Sequence, residues 1–214
     1  MEYGTNKKMI ATKNNMSYTY FLLGFINVEK KEFEKAIQYL NKAIAWNPIS
    51  PDNRFEKANV YRKLGQFDRY RVEVEKTYPC IYSSRYMAAY YRHLGWYYTE
   101  RRIFDLANAL YTQSIKFENI NLAHVELGYI AKQEKREKRL STNEEIKILL
   151  TEYNIPQGIS YEIIKMFLEV AQLQLKANNI QSVIYVYKAL YDITRDKKYL
   201  EYIKENEKNQ SEQI

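Results

Sequence analysis

Two histidines and one cysteine carry the most reactive side chains of this 214-residue chain. Imidazole nitrogens and thiolates are ligands that zinc prefers, so His93, His124 and Cys80 are the residues to test for a metal site. Such a site needs three or four ligands in a closed geometry, and no spacing in the sequence supplies the remainder. We therefore predict no metal site and no cofactor, and we expect both histidines to have packing or surface roles.

The residue patterns of common catalytic sites are not found in the sequence. No serine lies in a nucleophile-elbow pattern, no glycine-rich stretch could hold a phosphate, and no HExxH pattern occurs. Cys80 has no partner base that spacing identifies, and Asp68 and Asp105 follow turns, where the helix dipole favours a carboxylate. The sequence therefore predicts no catalytic residue and a protein that is not an enzyme.

A repeat in the sequence indicates the elements that position its side chains. The small residues Gly24, Ala58, Gly95 and Gly128 follow one another at intervals of 34, 37 and 33 residues, each within the same apolar pattern. A period near 34 residues is typical of helix-turn-helix units that stack into a solenoid. The hydrophobic fraction of 46%, with only 6 glycines and 4 prolines, agrees with an all-helical chain.

The clearest unit covers residues 17–50 and resembles a tetratricopeptide repeat. The residues that carry the resemblance are Tyr20, Leu23, Gly24, Ala36, Leu40, Ala43 and Pro48. Gly24 and Ala36 are small enough to let two antiparallel helices approach closely, and Pro48 closes the unit because it cannot continue a helix. The resemblance implies an all-α fold, an α-solenoid of stacked antiparallel helix pairs that coils as a right-handed superhelix.

The repeat register divides the chain into about five units between residues 17 and 195. Residues 1–16 form an N-terminal segment, and residues 196–214 form a C-terminal capping helix and tail. The predicted repeats are 17–50, 51–84, 88–120, 121–156 and 164–195.

The fourth repeat departs from the pattern after its first helix. We expect the charged run from Lys132 to Arg139 to extend that helix, and Thr142 with Glu145 to form a capping box for the next one. The long interval that follows is either one stretched repeat or a break between two arrays. We favour a stretched repeat with a bend near Pro156, since residues 155–158 contain the strongest turn signal in the chain.

In the tetratricopeptide-repeat family, the first helix of each unit lines the concave face. The resemblance therefore places on that face Tyr18, Phe21, Phe25, Val28, Phe55, Asn59, Arg62, Arg92, Trp96, Thr99, Leu122, Val125 and Tyr129. An aromatic groove with basic edges suits an extended or helical peptide that carries apolar anchors and some negative charge. The alternative is that Phe21 and Phe25 are covered by the N-terminal segment or by a second copy of the chain, as in a homo-oligomer.

The resemblance makes a protein-interaction adaptor the leading functional hypothesis. A second hypothesis is a bacterial regulatory module that senses a short signalling peptide, and it would act through a partner because only about 16 residues precede the first repeat. Co-chaperone repeats that grip a C-terminal carboxylate use lysine, asparagine and arginine residues on this face. Only Asn59 matches that clamp here, so we do not expect an acidic chaperone tail to bind.

A third hypothesis, nucleic-acid binding, starts from the net charge of +7 and the 22 tyrosines. The basic residues cluster at Arg62, Lys63, Arg69 and Arg71, at Arg101 and Arg102, and at Lys135, Arg136, Lys138 and Arg139. Acidic residues interleave with most of them, which favours helix faces with internal charge pairs. The sequence therefore argues against a nucleic-acid partner.

The sequence also favours a cytoplasmic protein with no membrane partner. Its most apolar run, Tyr18 to Val28, is far shorter than the roughly 20 residues of a membrane span. Residues 1–15 lack the apolar core of a secretory signal. The single cysteine suits a reducing interior.

Overall fold

The computed structural model describes residues 15–211 of the chain, with side chains to residue 208. Within that range the chain forms eleven α-helices, one short 3-10 helix and no strand. The helices are α1 (Met16–Glu29), α2 (Phe33–Trp46), α3 (Pro51–Lys63), α4 (Phe67–Glu75), α5 (Ser84–Glu100), α6 (Phe104–Phe117), α7 (Asn121–Gln133), α8 (Asn143–Glu152), α9 (Tyr161–Lys176), α10 (Ile180–Thr194) and α11 (Lys198–Ser211), with the 3-10 helix at Tyr78–Cys80.

Local sequence signals begin several of these helices. The Ser50 side chain accepts a hydrogen bond from the amide of Asn53, and Pro51 occupies the start of α3, where its missing N–H costs nothing. At α8, the Thr142 side chain accepts from the amide of Glu145, whose carboxylate accepts from the amide of Thr142. The predicted capping box is therefore confirmed.

A common turn ends the first helix of every predicted repeat. Each of α1, α3, α5, α7 and α9 is followed by a residue with φ between 53° and 69°, namely Lys31, Gly65, Arg102, Lys135 and Asn178. The next amide bonds back to a carbonyl five residues earlier, as the Gln66 amide does to Tyr61 at 2.9 Å. This is the Schellman motif, which satisfies carbonyls at a helix end.

The same intervals separate these turns and the small residues of the repeat. From Lys31 the left-handed residues follow at 34, 37, 33 and 43 residues. A small residue lies seven positions before each of them, at Gly24, Ala58, Gly95, Gly128 and Ala171. The five first helices therefore share one register, so equivalent positions can be compared between them.

The helices pack as antiparallel neighbours that stack on one another. α1 packs against α2, α3 against α4, α5 against α6 and α9 against α10, while α2 contacts α3, α4 contacts α5 and α6 contacts α7. A Cβ atom added to Gly24 would lie 2.6 Å from Cγ of Leu40, and one added to Gly95 would lie 3.0 Å from Cζ of Tyr111. These distances show how closely the paired helices approach, and the predicted all-α fold of stacked helix pairs is confirmed.

The stack breaks after α7, so the prediction of a stretched fourth repeat is wrong. α7 ends at Gln133 instead of continuing through the charged run to Arg139, because Lys135 has a φ of 53°. α8 then packs mainly against α6 rather than α7. A Cβ atom added to Gly128 would meet nothing within 4 Å, so no second helix covers this position of α7.

A buried polar cluster on α6 holds the segment between α7 and α8. The Asn108 side chain accepts from the Ser141 hydroxyl at 2.7 Å and donates to the carbonyl of Arg139 at 3.2 Å. The Ser141 amide donates to the Thr112 hydroxyl at 3.1 Å. Because buried polar groups are costly without partners, these bonds fix the segment across α6 and place α8 there.

The segment after α8 returns toward α5. The Tyr91 hydroxyl donates to the carbonyl of Pro156 at 2.8 Å, and the neighbouring Ile155 is buried in the main core. α9 then contacts the 3-10 helix and α10 contacts α5, while α10 and α11 pack together. α9, α10 and α11 have their own apolar cluster, formed by Ala171, Val186, Leu190, Ile193 and Tyr199.

Two predicted repeat limits differ from the observed helices. α5 begins at Ser84 rather than at residue 88, and α9 begins at Tyr161 rather than at residue 164. In both cases a serine caps the helix earlier than the repeat pattern indicated, since Ser83 and Ser160 accept hydrogen bonds from main-chain amides. The division into five repeats stays a prediction, and residues 1–14 of the predicted N-terminal segment lie outside the described range.

We predict opposite effects for the same substitution at two glycines. Gly24→Ala should lower the free energy of unfolding by about 1 to 3 kcal/mol, because its methyl group overlaps Leu40 in a packed core. Gly128→Ala should raise it by about 0.5 to 1 kcal/mol, because alanine is the better helix former and the site is open. Urea denaturation followed by circular dichroism measures both. Equal destabilisation would mean that a helix covers α7 at Gly128.

Candidate protein-binding face

The shared register brings equivalent side chains of α1, α3, α5 and α7 to one side of the helix layer, which we call the open face. The predicted site residues lie six and three positions before the small residue of each helix, and one and four positions after it. Exposure is greatest in the first and last of these helices. The exposed fractions are 56% for Tyr18, 44% for Phe25, 54% for Leu122, 57% for Val125 and 49% for Tyr129.

The α1 patch consists of Tyr18, Leu22 and Phe25. The rings of Tyr18 and the partly buried Phe21 stack at a centroid distance of 6.3 Å. Leu22 is 40% exposed and was not among the predicted residues, although it follows Tyr18 by four positions and so shares its helix face. The α7 patch, at the other end of the open face, consists of Leu122, Val125 and Tyr129.

The middle of the open face differs from the expected aromatic groove because Phe55 is buried. Its ring stacks on that of His93 at 4.5 Å, with an angle of 2° between the ring planes, and only 7% of the residue is exposed. Val28 and Thr99 are also buried. The expectation that these three residues line the face is wrong, because side chains of the neighbouring helices cover them.

His93 is held by a tyrosine of the preceding helix pair. The Tyr70 hydroxyl lies 2.9 Å from Nδ1 of His93 and 3.0 Å from its carbonyl oxygen. Burial lowers the pKa of His93 well below its ordinary value, and the charges of Arg62 and Arg92 act in the same direction. His93 is therefore a neutral packing residue in the folded protein.

The two histidines do not form a site together. Nε2 of His124 lies 2.7 Å from the side-chain oxygen of Asn119, on the exposed side of α7. Among the described residues there is no group of three or more histidine, cysteine or acidic side chains that could hold a metal ion.

Arg62 and Trp96 meet at the centre of the open face. The guanidinium carbon of Arg62 lies 5.2 Å from the centroid of the Trp96 ring, a cation–π distance. Edge-on contacts with Phe67 and Tyr70 fix the indole at 5.4 and 5.0 Å. The pair therefore offers an aromatic ring held by its neighbours, with a cationic group over its face.

The remaining charges near the centre are largely balanced. Arg92 donates to Glu118 at 3.0 Å, and Asn59 donates to Glu56 at 3.4 Å. Burial, followed by the charge of Glu100, raises the pKa of the Glu126 carboxyl. The open face thus has apolar ends and a polar centre of both signs, where the sequence had indicated basic edges.

Comparison with known proteins identifies a repeat family and solved structures that are similar to this chain. A family model described as tetratricopeptide repeat matches residues 17–50. The TPR2AB domain of yeast Sti1, solved as a pHSP90 complex, is similar over 84% of this chain and 65% of its own, with 11% identity and a TM-score of 0.52. Residues 17–50 therefore match a tetratricopeptide repeat, and the described chain has the fold of tetratricopeptide-repeat structures.

A second solved structure shares this fold. The Cut9–Hcn1 hetero-tetramer of the APC/C is similar over 92% of this chain, with 14% identity and a TM-score of 0.51. The chain spans only 37% of that protein. No curated protein matches the chain in sequence. At these identities the likeness establishes the fold alone.

Ion pairs engage many of the basic residues of the described chain. Arg71 pairs with Glu75 at 2.7 Å, Arg101 with Asp68 at 2.5 Å and Arg139 with Glu145 at 2.9 Å. Arg136 contacts both Asp105 and Glu134. Of these pairs, Arg71–Glu75 has the four-residue spacing within a helix that the sequence indicated, whereas Arg101–Asp68 and Arg136–Asp105 join segments that are distant in the sequence.

Cys80 lacks the surroundings of a reactive thiol. It is buried, its sulfur lies 3.7 Å from the carbonyl of Pro48, and burial raises the pKa of the thiol. Reactive cysteines have lowered pKa values, because the thiolate is the nucleophile. In the described part of the chain, no helix is long and apolar enough to cross a membrane.

We predict that His93 makes stability depend on pH. The pKa of His93 is lowered in the folded state, so below about pH 6.5 a proton binds to this histidine in the unfolded chain but not in the folded one. The contribution of His93 to the free energy of unfolding is therefore complete above about pH 6.5 and is lost as the pH falls below that value. His93→Gln cannot titrate, so its free energy of unfolding should fall less between pH 7.5 and 5 than that of wild type, by up to about 1.4 kcal/mol per pH unit.

Urea denaturation of wild type and of His93→Gln across this pH range measures the two slopes. A wild-type slope for His93→Gln would contradict the assignment of His93 as a neutral packing residue.

Proposed function

We propose that this protein is a non-catalytic adaptor that binds a segment of a partner protein on its open face. The observation that supports the proposal is the exposure of large apolar side chains at equivalent positions of α1 and α7. Grouped apolar side chains on a protein surface are typical of interaction sites, and aromatic residues among them supply much of the binding free energy. We also propose a cytoplasmic location, which suits the free thiol of Cys80.

The distribution of polarity defines the chemistry of the bound segment. Two apolar groups would contact the α1 patch and the α7 patch, and a polar stretch between them would pass the Arg62–Trp96 pair. Arg92 is already paired with Glu118, so we expect Arg62 rather than Arg92 to contact a carboxylate or carbonyl of the ligand. We therefore expect a segment with apolar ends and little net charge.

The pHSP90 ligand of the yeast Sti1 domain is not part of this proposal. Carboxylate recognition in that class of repeat depends on polar side chains on the inner face. Tyr18 and Phe25 occupy those positions in α1 here, and both are exposed apolar residues. A ligand that inserts apolar groups matches this surface better than one that presents a terminal carboxylate.

Peptides selected from a random display library on the wild-type protein test the proposal. Phe25→Ala and Tyr129→Ala should each weaken binding of the selected peptides about thirtyfold, because truncation of an aromatic anchor typically costs about 2 kcal/mol. Isothermal titration calorimetry on purified variants gives the dissociation constants. Circular dichroism shows whether the variants keep the helical fold.

The matched control is Tyr185→Ala, which truncates a tyrosine that is 74% exposed on α10 and outside the open face. Its dissociation constant should stay within about twofold of wild type. Raising the salt from 50 to 200 mM should weaken binding by less than tenfold, whereas a ligand contacting six or more phosphates would lose about a thousandfold. Loss of binding in Tyr185→Ala alone would place the site on α10 and refute the proposal.

A further inference from the structure

The shared register identifies a buried stripe on the first helices within the stack. In each helix the stripe consists of three residues, counted from the small residue of the repeat (Gly95 in α5, Gly128 in α7 and Ala171 in α9). Two of them lie five positions and one position before the small residue, and the third lies two positions after it. In α5 these are Tyr90, Leu94 and Tyr97, which are 2%, 1% and 6% exposed. In α7 they are Ala123, Leu127 and Ile130, none of which is exposed. These stripes are buried in the main core, where α5 contacts α4 and α7 contacts α6.

The equivalent residues of α9 form the α9 stripe: Met166, Val170 and Leu173. Their exposed fractions are 46%, 39% and 63%. The difference follows from the break after α7, since α9 contacts the 3-10 helix and α10 but does not stack on a preceding helix pair. The α9 stripe therefore has the apolar side chains of a helix–helix contact but is exposed to solvent.

We propose that the α9 stripe pairs with the α9 stripe of a second copy of the chain, in antiparallel orientation about a two-fold axis. Two-fold symmetry requires a surface that is complementary to itself. With Val170 on the axis, Met166 of one copy lies beside Leu173 of the other. The apolar stripe then meets its equivalent along its whole length.

The charges at the ends of α9 select the antiparallel orientation. Exposed Glu162 lies in the first turn of the helix and exposed Lys176 in the last. Antiparallel pairing brings Glu162 of each copy near Lys176 of the other, at both ends of the contact. Parallel pairing would bring like charges together, and it would also align the two helix dipoles unfavourably.

The size of this contact sets the expected affinity. A helix of 16 residues is about 24 Å long, so one helix pair buries less area than a standard stable interface. We expect a dimer with a dissociation constant in the micromolar range, measurable by sedimentation equilibrium of the whole chain between about 1 and 200 µM.

Two substitutions on the same helix test the stripe. Val170→Glu places two carboxylates against each other on the axis and should weaken dimerisation at least tenfold. Leu175→Glu is the matched control: Leu175 is 53% exposed, but five residues further along it points away from the stripe. It should keep the wild-type dissociation constant, and circular dichroism should show that both variants remain folded.

Charge exchange tests the orientation. Glu162→Lys and Lys176→Glu should each weaken the dimer about threefold to tenfold, and the double variant should recover the wild-type affinity, since it restores both pairs. Val170→Cys should form a disulfide-linked dimer on oxidation, because residues on the axis approach within disulfide range, whereas Leu175→Cys should not.

The proposal is overturned if the wild-type chain is monomeric at 200 µM. It is also overturned if Val170→Glu dimerises as well as wild type, if Leu175→Glu is equally defective, or if the double charge exchange fails to recover affinity. A peptide-binding defect in the open-face variants bears only on the proposed function, because those residues lie on α1 and α7.

Discussion

The close approach of paired helices at a small residue is the constraint on which the rest of the structure depends. Gly24 and Gly95 lie where a methyl group would overlap Leu40 or crowd Tyr111. This contact sets the distance between the helices of a pair, and the recurring Schellman turn sets the angle at which the second helix returns. Where both are present, the first helices present equivalent side chains to one face.

The fourth predicted repeat shows what happens when the contact is missing. α7 has the small residue and the turn, but the Asn108–Ser141 cluster draws the following segment onto α6. Two surfaces remain open as a result, one on α7 beside Gly128 and one on α9 along its stripe. A buried polar cluster on one helix therefore decides which apolar faces at the C-terminal end of the stack are available for interaction.

The open face combines anchors at its ends with a neutralised centre. Phe55 would have been a third aromatic anchor, but stacking on His93 removes it from solvent. Arg62 is held over Trp96, and Arg92 is held by Glu118. The central residues of the open face are therefore occupied by packing and by charge pairs between helix pairs. Exposed apolar side chains remain on α1 and α7, at the two ends of the face.

The sequence by itself determined the features that depend on a few neighbouring residues. The helix register, the capping box at Thr142 and the pairing of helices around Gly24 could all be predicted, because caps, turns and small-residue contacts are local. Only the tertiary structure decided that α8 packs on α6, that His93 covers Phe55 and that the α9 stripe is exposed. Each of these depends on contacts between distant segments, and a repeat pattern cannot show which neighbour a helix face will meet.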